Sequence, residues 1–285
     1  MSAVTQSDIK SAALELGIKQ GDVVLVHSSF KSLGEVSGGA EAVISGFLDA
    51  VGKDGTLVFP TFTQKNYLKA YETWHIDKES DTGYLTNYFR KREGSIRSDQ
   101  ATHSVAAGGR LAEYLTKTHG HTHKRFGNAG DTPFSADSPW EKMYELDAKI
   151  VLLGVSPLYI TFRHYAEYLY VNEMLAALEG HTEYDKMKAR LEHFGKPGVW
   201  PHVYNPWVAE RLNEQGKVYQ STCGNAVLTM ISAKTFVDYV LQQLRSHNHD
   251  ILWLFEEEPY TTKAYINWEN EFLSIVNDCK EQFNG

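Results

Sequence analysis

Lys149-Ile-Val-Leu-Leu-Gly-Val155 and, shortly after it, Thr161-Phe-Arg-His-Tyr-Ala-Glu167 decide the predicted fold. The first run is continuously apolar and closes on a glycine, which is typical of a strand buried on both faces of a sheet. The second run predicts a helix with Thr161 as its N-cap. His164 and Glu167 are three residues apart and would share one face of that helix. The carboxyl end of a buried strand would therefore present an imidazole beside a carboxylate, although an ordinary solvated helix face gives the same spacing.

Two other runs of this kind lie nearer the N-terminus, at residues 21–26 and 55–59, and each is followed by hydroxyl-bearing residues. Extended segments are also predicted over 94–107, 218–222 and 226–231, with a strand or buried turn at 249–255. Helices are predicted over 6–17, 40–51, 83–92, 109–118, 172–193, 208–215 and 232–246. Strands that alternate with helices predict an α/β fold. Its central, mostly parallel sheet would be flanked by helices, with an irregular additional lobe, and residues 1–285 would form a single domain.

Composition limits the function classes. The 285 residues are 42% hydrophobic and 22% charged, with a formal net charge of −8. An acidic balance argues against a nucleic-acid partner and suits a cationic substrate, although it is also ordinary for an enzyme. No apolar run is long enough to suggest a membrane span. Cys223 and Cys279 are far apart and lack metal-ligand spacing, so we expect reduced thiols, a cytoplasmic location and no membrane partner.

Two alternative chemistries fit the sequence less well. His119-Gly-His-Thr-His123 could hold a transition metal, as in a metal hydrolase, but no carboxylate or cysteine stands at the usual ligand spacing. A histidine-rich surface loop explains this run better, and no metal cofactor is predicted. A serine hydrolase would need a Gly-x-Ser-x-Gly turn, which the chain lacks.

A glycine- and hydroxyl-rich loop at residues 31–39 lies between a predicted strand and a predicted helix. Backbone N–H groups at such a junction bind anions. The loop matches neither the Walker pattern nor the dinucleotide GxGxxG pattern, so neither ATP nor NAD is implied. His103 and Ser104 lie beside small residues that would let a ligand come close, but Ser104 as a helix N-cap is an equal alternative.

Six motifs in one order resemble the aminoglycoside N-acetyltransferases that act on the 3-amino group, within the antibiotic N-acetyltransferase superfamily. The resemblance is strong over residues 8–175 and weak beyond. The motifs are Val26-His-Ser-Ser-Phe-Lys-Ser-Leu-Gly-Glu-Val-Ser-Gly-Gly39, Gly55-Thr-Leu-Val-Phe-Pro-Thr-Phe-Thr63, Arg97-Ser98 through Thr102-His-Ser-Val-Ala-Ala107, Ser138-Pro139, Leu152-Leu-Gly-Val155, and Thr161-x-x-His164-x-x-Glu167.

This resemblance implies acetyl-CoA as donor, an amino sugar as acceptor, and direct transfer without a covalent acyl-enzyme. It gives His164 as the base that deprotonates the attacking amine, and Glu167 as the group that orients that imidazole or stabilises its cation. A base with a pKa near 7 suits an amine that is protonated at neutral pH. Ser104 and the backbone near Val105 are the predicted oxyanion donors, and His103 is the one other imidazole of that segment. The predicted CoA-binding residues are Ser28, Ser29, Lys31, Ser32, Gly38, Gly39, Ser104 and Val105.

The acceptor prediction takes account of a departure from the family pattern. Where the aminoglycoside enzymes usually have Arg-Ser-x-His-Pro, this chain has Gln100 and Ala101 in place of His-Pro. The aromatic loop at 194–207 could stack a nucleobase or pack over the core. We therefore predict a nucleotide-linked amino sugar, with an aminoglycoside as the alternative and a non-catalytic CoA-binding protein as a further one. Candidate acceptor-binding residues are Thr63, Gln100, Trp200 and Tyr204. A homo-oligomer is compatible with the sequence but is not specified by it.

Overall fold

The computed structural model describes residues 2–120, 125–257 and 261–284. Within them the strands form one seven-stranded sheet in the order β3-β4-β2-β1-β5-β7-β6. The strands are β1 Val23–Ser28, β2 Thr56–Pro60, β3 Ser95–Arg97, β4 Val105–Gly109, β5 Lys149–Leu153, β6 Tyr219–Cys223 and β7 Ala226–Ser232.

The centre of this sheet is parallel and its flanks are antiparallel. β1 pairs in parallel with β2 and with β5, so the carboxyl ends of the three central strands meet at one edge. β4 and β3 continue the sheet on one side, and β7 and β6 continue it on the other, all in antiparallel pairings. The predicted α/β fold with a parallel sheet core is confirmed.

Each central strand is buried on both faces. In β1, Val23 and Leu25 pack in one apolar core while Val24 and Val26 pack in the other. β5 alternates in the same way. This explains why these strands are continuous apolar runs rather than alternating polar and apolar residues.

Helices cover both faces of the sheet. The helices are α1 Gln6–Glu15, α2 Gly39–Val51, α3 Tyr84–Phe89, α4 Ala112–Thr116, α5 Pro139–Glu145, α6 Phe162–Ala177, α7 Tyr184–Ala189, α8 Asn205–Glu214, α9 Ala233–Arg245 and α10 Thr262–Asn284. Core residues of α1, α2 and α3 lie on one face, and those of α4, α5, α6, α8, α9 and α10 lie on the other. Irregular segments, such as residues 61–83 and 125–138, connect several of these elements. No helix in the described ranges has both the length and the apolar character needed to cross a membrane.

Several local predictions are wrong. The helix predicted over 172–193 ends at Ala177, and the chain passes through Gly180, whose φ is 82°, before α7 begins. Thr161 has helical dihedral angles and makes no side-chain capping bond, so it is not a conventional N-cap. Ser104 precedes a strand and not a helix, which removes the N-cap alternative for that residue. By contrast, the segment His249–Ile251 is a 3-10 turn with Ile251 buried, which agrees with the predicted alternative of a buried turn rather than a strand.

Candidate active site

A cleft opens at the edge of the sheet where the parallel strands end. Its volume is about 790 Å³. The end of β1 lines it with His27, Ser28, Ser29, Phe30 and Lys31, and the end of β2 continues into Pro60, Phe62 and Gln64. Residues 81–84, Thr86, Val155 and Tyr159 complete the wall. This is the position at which open α/β sheets bind their ligands.

His164 and Glu167 form a hydrogen-bonded pair on the first turns of α6. His164 Nδ1 lies 2.9 Å from Glu167 Oε2, as the predicted three-residue spacing requires. The Glu167 side chain has no exposed surface, whereas that of His164 is 20% exposed. Because a carboxylate only accepts hydrogen bonds, Nδ1 carries the proton and donates it to Glu167. Nε2 of the neutral ring is then free to accept a proton.

Both oxygens of Glu167 are occupied by donors from a distant segment. Trp200 donates its indole N–H to Oε2 at 3.2 Å, and the backbone N–H of Val203 donates to Oε1 at 2.8 Å. Arg163 lies 4.0 Å from Oε1 and also donates to the Val203 carbonyl. Glu167 is thus fixed from three sides, and it fixes the imidazole in turn.

The charges of the pair follow from this environment. Burial alone would raise the pKa of Glu167, but the charge of His164, its hydrogen bond and the charge of Arg163 lower that pKa to about 2. Burial lowers the pKa of His164, and Arg163 adds to this effect while Glu167 opposes it. At neutral pH the pair is therefore a carboxylate and a neutral imidazole, which is the form that a general base needs.

His103 lies beside His164, with the ring centroids 5.7 Å apart, but its hydrogen bonds differ. Its Nδ1 lies 2.9 Å from Thr102 Oγ1, whose own proton goes to Gln100. Its Nε2 lies 3.0 Å from the Gln64 amide nitrogen, which also donates to the Thr102 carbonyl. His103 Nδ1 is therefore the donor and Nε2 an acceptor, so both nitrogens are used within the protein. Burial and the neighbouring His164 also lower the pKa of His103 well below its ordinary value.

His103 lies between the cleft and the His164–Glu167 pair. Gln64 lines the cleft and contacts His103, which packs against Phe62 with a centroid separation of 4.9 Å. The structure therefore supports His103 as a positioning residue rather than as a second base.

The predicted CoA-binding residues divide into two groups. Ser28, Ser29 and Lys31 line the cleft. Ser32 is not among the cleft-lining residues, and its hydroxyl donates to the Ser29 carbonyl at 2.6 Å. Gly38 and Gly39 form the turn that starts α2 and are not among the cleft-lining residues.

Ser104 and Val105 are not free oxyanion donors. Ser104 is fully buried, and its hydroxyl lies 2.9 Å from both the hydroxyl and the carbonyl oxygen of Thr61. The Val105 N–H donates to the Ser98 hydroxyl at 2.9 Å. Neither Ser104 nor Val105 lines the cleft, and both bonds tie the start of β4 to its neighbours.

Thr63 and Gln100 are likewise used inside the protein. The Thr63 hydroxyl donates to the Ala101 carbonyl at 2.5 Å. Gln100 accepts the backbone N–H of Thr102 and of His103, and it donates to Tyr71. Gln100 shapes the turn that carries His103, and neither residue presents a free group to an acceptor.

The predicted stacking platform is also wrong. Trp200 is buried and packs edge-on against Tyr168, with its N–H on Glu167. Tyr204 packs against Trp253 in a separate depression that Trp207 and Leu254 also line. Trp200 therefore helps to hold Glu167, while Tyr204 lies outside the cleft. No sequence signal joins Trp200 to Glu167, because 33 residues separate them.

The histidine run at 119–123 lies partly outside the described residues, since His121 and His123 are not among them. His119 is buried, and its two nitrogens lie 2.8 Å from the Ser98 hydroxyl and from the Pro133 carbonyl. That histidine holds the turn before β4. In the described part of the chain, no cluster of three metal-ligating side chains occurs.

Comparisons with known proteins agree with this architecture. The model of the aminoglycoside 3-N-acetyltransferase family matches residues 25–245. The chain is 28% identical over 278 residues to an aminoglycoside N(3)-acetyltransferase III from Salmonella sp, and the alignment covers 85% of this chain and 92% of that relative.

Two solved structures have the same fold. The AAC-IIIb binary complex with CoASH has a TM-score of 0.68 at 19% identity, covering 86% of this chain and 98% of that one. A mutant of aminoglycoside acetyltransferase AAC(3)-IVa in complex with apramycin has a TM-score of 0.65 at 22% identity, covering 86% of this chain and 94% of that one. At this identity the structural likeness establishes the fold alone.

Proposed function

Because the chain belongs to the aminoglycoside 3-N-acetyltransferase family, and is therefore an acyltransferase, we propose that it transfers an acetyl group from acetyl-CoA to an amino group of an aminoglycoside. The observation that carries this proposal is the His164–Glu167 pair, 2.9 Å apart. The pair does not itself line the cleft, but His164 packs against His103, which contacts the cleft residue Gln64. A neutral imidazole held by a buried carboxylate supplies the base that the reaction requires.

The chemistry is a direct transfer. The amine nitrogen attacks the thioester carbonyl carbon, and the carbonyl π electrons move to oxygen. His164 Nε2 accepts the amine proton, and the imidazolium so formed is stabilised by Glu167 across the 2.9 Å bond. The intermediate then collapses and the C–S bond breaks, and the leaving thiolate takes the proton from the His164 imidazolium to give CoA thiol and the neutral base. The products are an N-acetyl amide and CoA.

The cleft fits the donor in size and in polarity. Its volume of about 790 Å³ lies within the range of cofactor sites. Lys31 lies on its wall, where an ammonium group would meet the CoA phosphates. Phe30 and Tyr84 stand 5.1 Å apart at the same wall and offer an aromatic surface to the adenine ring.

The aminoglycoside acceptor is favoured over a nucleotide-linked sugar. The stacking argument for a nucleotide depended on Trp200 and Tyr204, which do not face the cleft. Aminoglycosides are polycations, and a chain with a formal charge of −8 attracts them. The name of the Salmonella relative supports the same acceptor class.

The test is CoA-thiol release from acetyl-CoA, with aminoglycosides and nucleotide-linked amino sugars as acceptors. Wild type should turn over aminoglycosides, and His164→Ala should lose at least about a hundredfold in kcat, the scale of a general base. His75→Ala, at an exposed histidine outside the cleft wall, is the matched control and should behave as wild type. Turnover of sugar nucleotides alone would overturn the acceptor, and a fully active His164→Ala would overturn the base.

A further inference from the structure

His27 is a buried imidazole with an unpaired nitrogen in the wall of the cleft. Its side chain is 5% exposed, and Nε2 has no hydrogen-bond partner among the described residues. It is the one histidine nitrogen in that position within the described chain. A buried polar atom without a partner destabilises a folded protein, so such atoms call for a physical explanation.

The position of His27 in β1 shows which way the ring points. His27 lies opposite Leu152 of β5 and follows Val23 and Leu25 at two-residue intervals. Those residues pack in the core that α6 also enters. Because strand side chains alternate between faces, His27 projects toward the face that α6, and with it His164, covers. It therefore lies on the same face of the sheet as α6, at the end of β1 that lines the cleft.

His27 is uncharged at neutral pH. Burial lowers the pKa of this imidazole to about 4, and no other group contributes. The ring therefore carries one proton, which it can place on either nitrogen. Without a carboxylate or hydroxyl to fix the tautomer, a bound ligand decides which nitrogen donates.

The depth of the cleft indicates which part of the donor His27 meets. The rim is formed by exposed side chains such as Tyr84 and Tyr159, at 58% and 63% exposure, and it suits the charged nucleotide. His27 and Pro60 are buried and Phe62 is half-buried, and this inner part of the wall suits the acyl end. A thioester carbonyl oxygen has no proton, so an imidazole that faces it must donate.

We propose that His27 donates a hydrogen bond to the carbonyl oxygen of the acyl thioester and stabilises the oxyanion that forms when the amine attacks. This inference rests on the proposed acyl transfer. It also supplies a donor that the reaction needs, because the hydroxyl of Ser104 and the N–H of Val105 are already used within the protein. His27 is then a catalytic residue, distinct in role from the base His164.

The kinetic test compares His27→Phe with His27→Gln. The phenylalanine keeps the ring volume and removes the donor, so kcat should fall about a hundredfold or more, the usual loss of an oxyanion donor. The CoA dissociation constant should change by less than about threefold, since the bond forms fully only in the transition state. Glutamine retains an N–H donor, so kcat of His27→Gln should be at least about tenfold higher than that of His27→Phe. His75→Gln is the exposed control.

A spectroscopic readout does not depend on the acceptor. Infrared difference spectra of acetyl-CoA with a ¹³C-labelled carbonyl should show a lower stretching frequency on wild type than on His27→Phe. Equal frequencies on the two proteins would overturn the proposal, as would a His27→Phe variant whose kcat is unchanged or whose only defect is weaker CoA binding. A shifted band without turnover of any aminoglycoside would support His27 and overturn the proposed acceptor. If His27→Phe does not fold, the carbonyl frequency on wild type is compared with that on His27→Gln and with that of free acetyl-CoA. A wild-type frequency equal to that of free acetyl-CoA then overturns the proposal.

Discussion

Replacing Glu167 with glutamine tests the support of the base, because every group that contacts this side chain is a donor. His164 Nδ1 and Trp200 Nε1 donate to Oε2, and the Val203 N–H donates to Oε1. A carboxylate accepts all three bonds. A glutamine amide has one accepting oxygen, so its NH₂ group must face at least one donor.

The two orientations of that amide have different costs. With its oxygen toward His164 and Trp200, the Val203 N–H loses its partner; with its oxygen toward Val203, two donors lose theirs. One buried donor without a partner costs about 1–3 kcal/mol. The expected loss of unfolding free energy is therefore about 2 kcal/mol, or roughly 4 °C in Tm for a chain of this size.

The catalytic loss should exceed the loss of stability. The imidazolium formed on His164 no longer faces a negative charge, so kcat should fall by at least about a hundredfold. The assay is CoA-thiol release, with calorimetry or urea unfolding on the same samples. Glu173→Gln is the matched control, since Glu173 lies on the same helix with 46% of its side chain exposed and an ion pair to Arg245. That variant should lose less than about 1 kcal/mol and keep its activity. A Glu167→Gln enzyme within about threefold of wild type in kcat would refute the role of Glu167.

Neighbouring contacts give three further predictions. Trp200→Phe keeps the packing against Tyr168 but removes the indole N–H that donates to Glu167. The kcat should fall roughly fivefold, equivalent to about 1 kcal/mol. An unchanged kcat would mean that this bond does not hold the base. Gly154→Ala places a Cβ 1.8 Å from Ser32 Oγ at a φ of +61°, so the unfolding free energy measured in urea should fall by at least about 2 kcal/mol. Adding Ser32→Gly removes the clash but not the backbone strain, so it should restore only part of that free energy. The pKa of Glu167 is lowered from its ordinary 4.5 to about 2 on folding, so the stability that its charge contributes is complete above pH 4.5 and is lost as pH falls toward 2. The difference in unfolding free energy between wild type and Glu167→Gln should shrink over that range, and a difference that grows as the pH falls would contradict the sign.

The central strands could be predicted because burial on both faces leaves a simple signal in the sequence. β1, β2 and β5 are each continuous apolar runs, and the structure pairs them in parallel. The end of α6 could not be predicted in the same way. The charged pattern over 172–193 is compatible with one helix, and the chain breaks at a single glycine, Gly180, in a conformation with positive φ. The long helix α10 was not predicted.

The site was predictable only as far as local spacing reaches. His164 and Glu167 share one helix, so their contact follows from a three-residue interval. Trp200 and Val203 reach Glu167 from 33 and 36 residues away, and nothing in the intervening sequence sets that distance. His103 and Ser104 show that a local pattern can also mislead. The small residues beside them predicted contact with a ligand, but Ser104 and Val105 bond neighbouring segments of the protein instead.

The aromatic loop changes the acceptor prediction because of what its side chains do. Tryptophan and tyrosine near proline are compatible both with a stacking surface and with a packed anchor, and the sequence contains no feature that separates the two. In the structure the Trp200 ring is buried and its N–H is used on Glu167, so it has no free face for a nucleobase. This removes the stacking argument for a nucleotide-linked sugar, while Gln100 and Ala101 remain a difference from the family pattern. What remains is an acidic chain with a neutral base beside a cleft, and that arrangement favours an acceptor that is itself a polyamine.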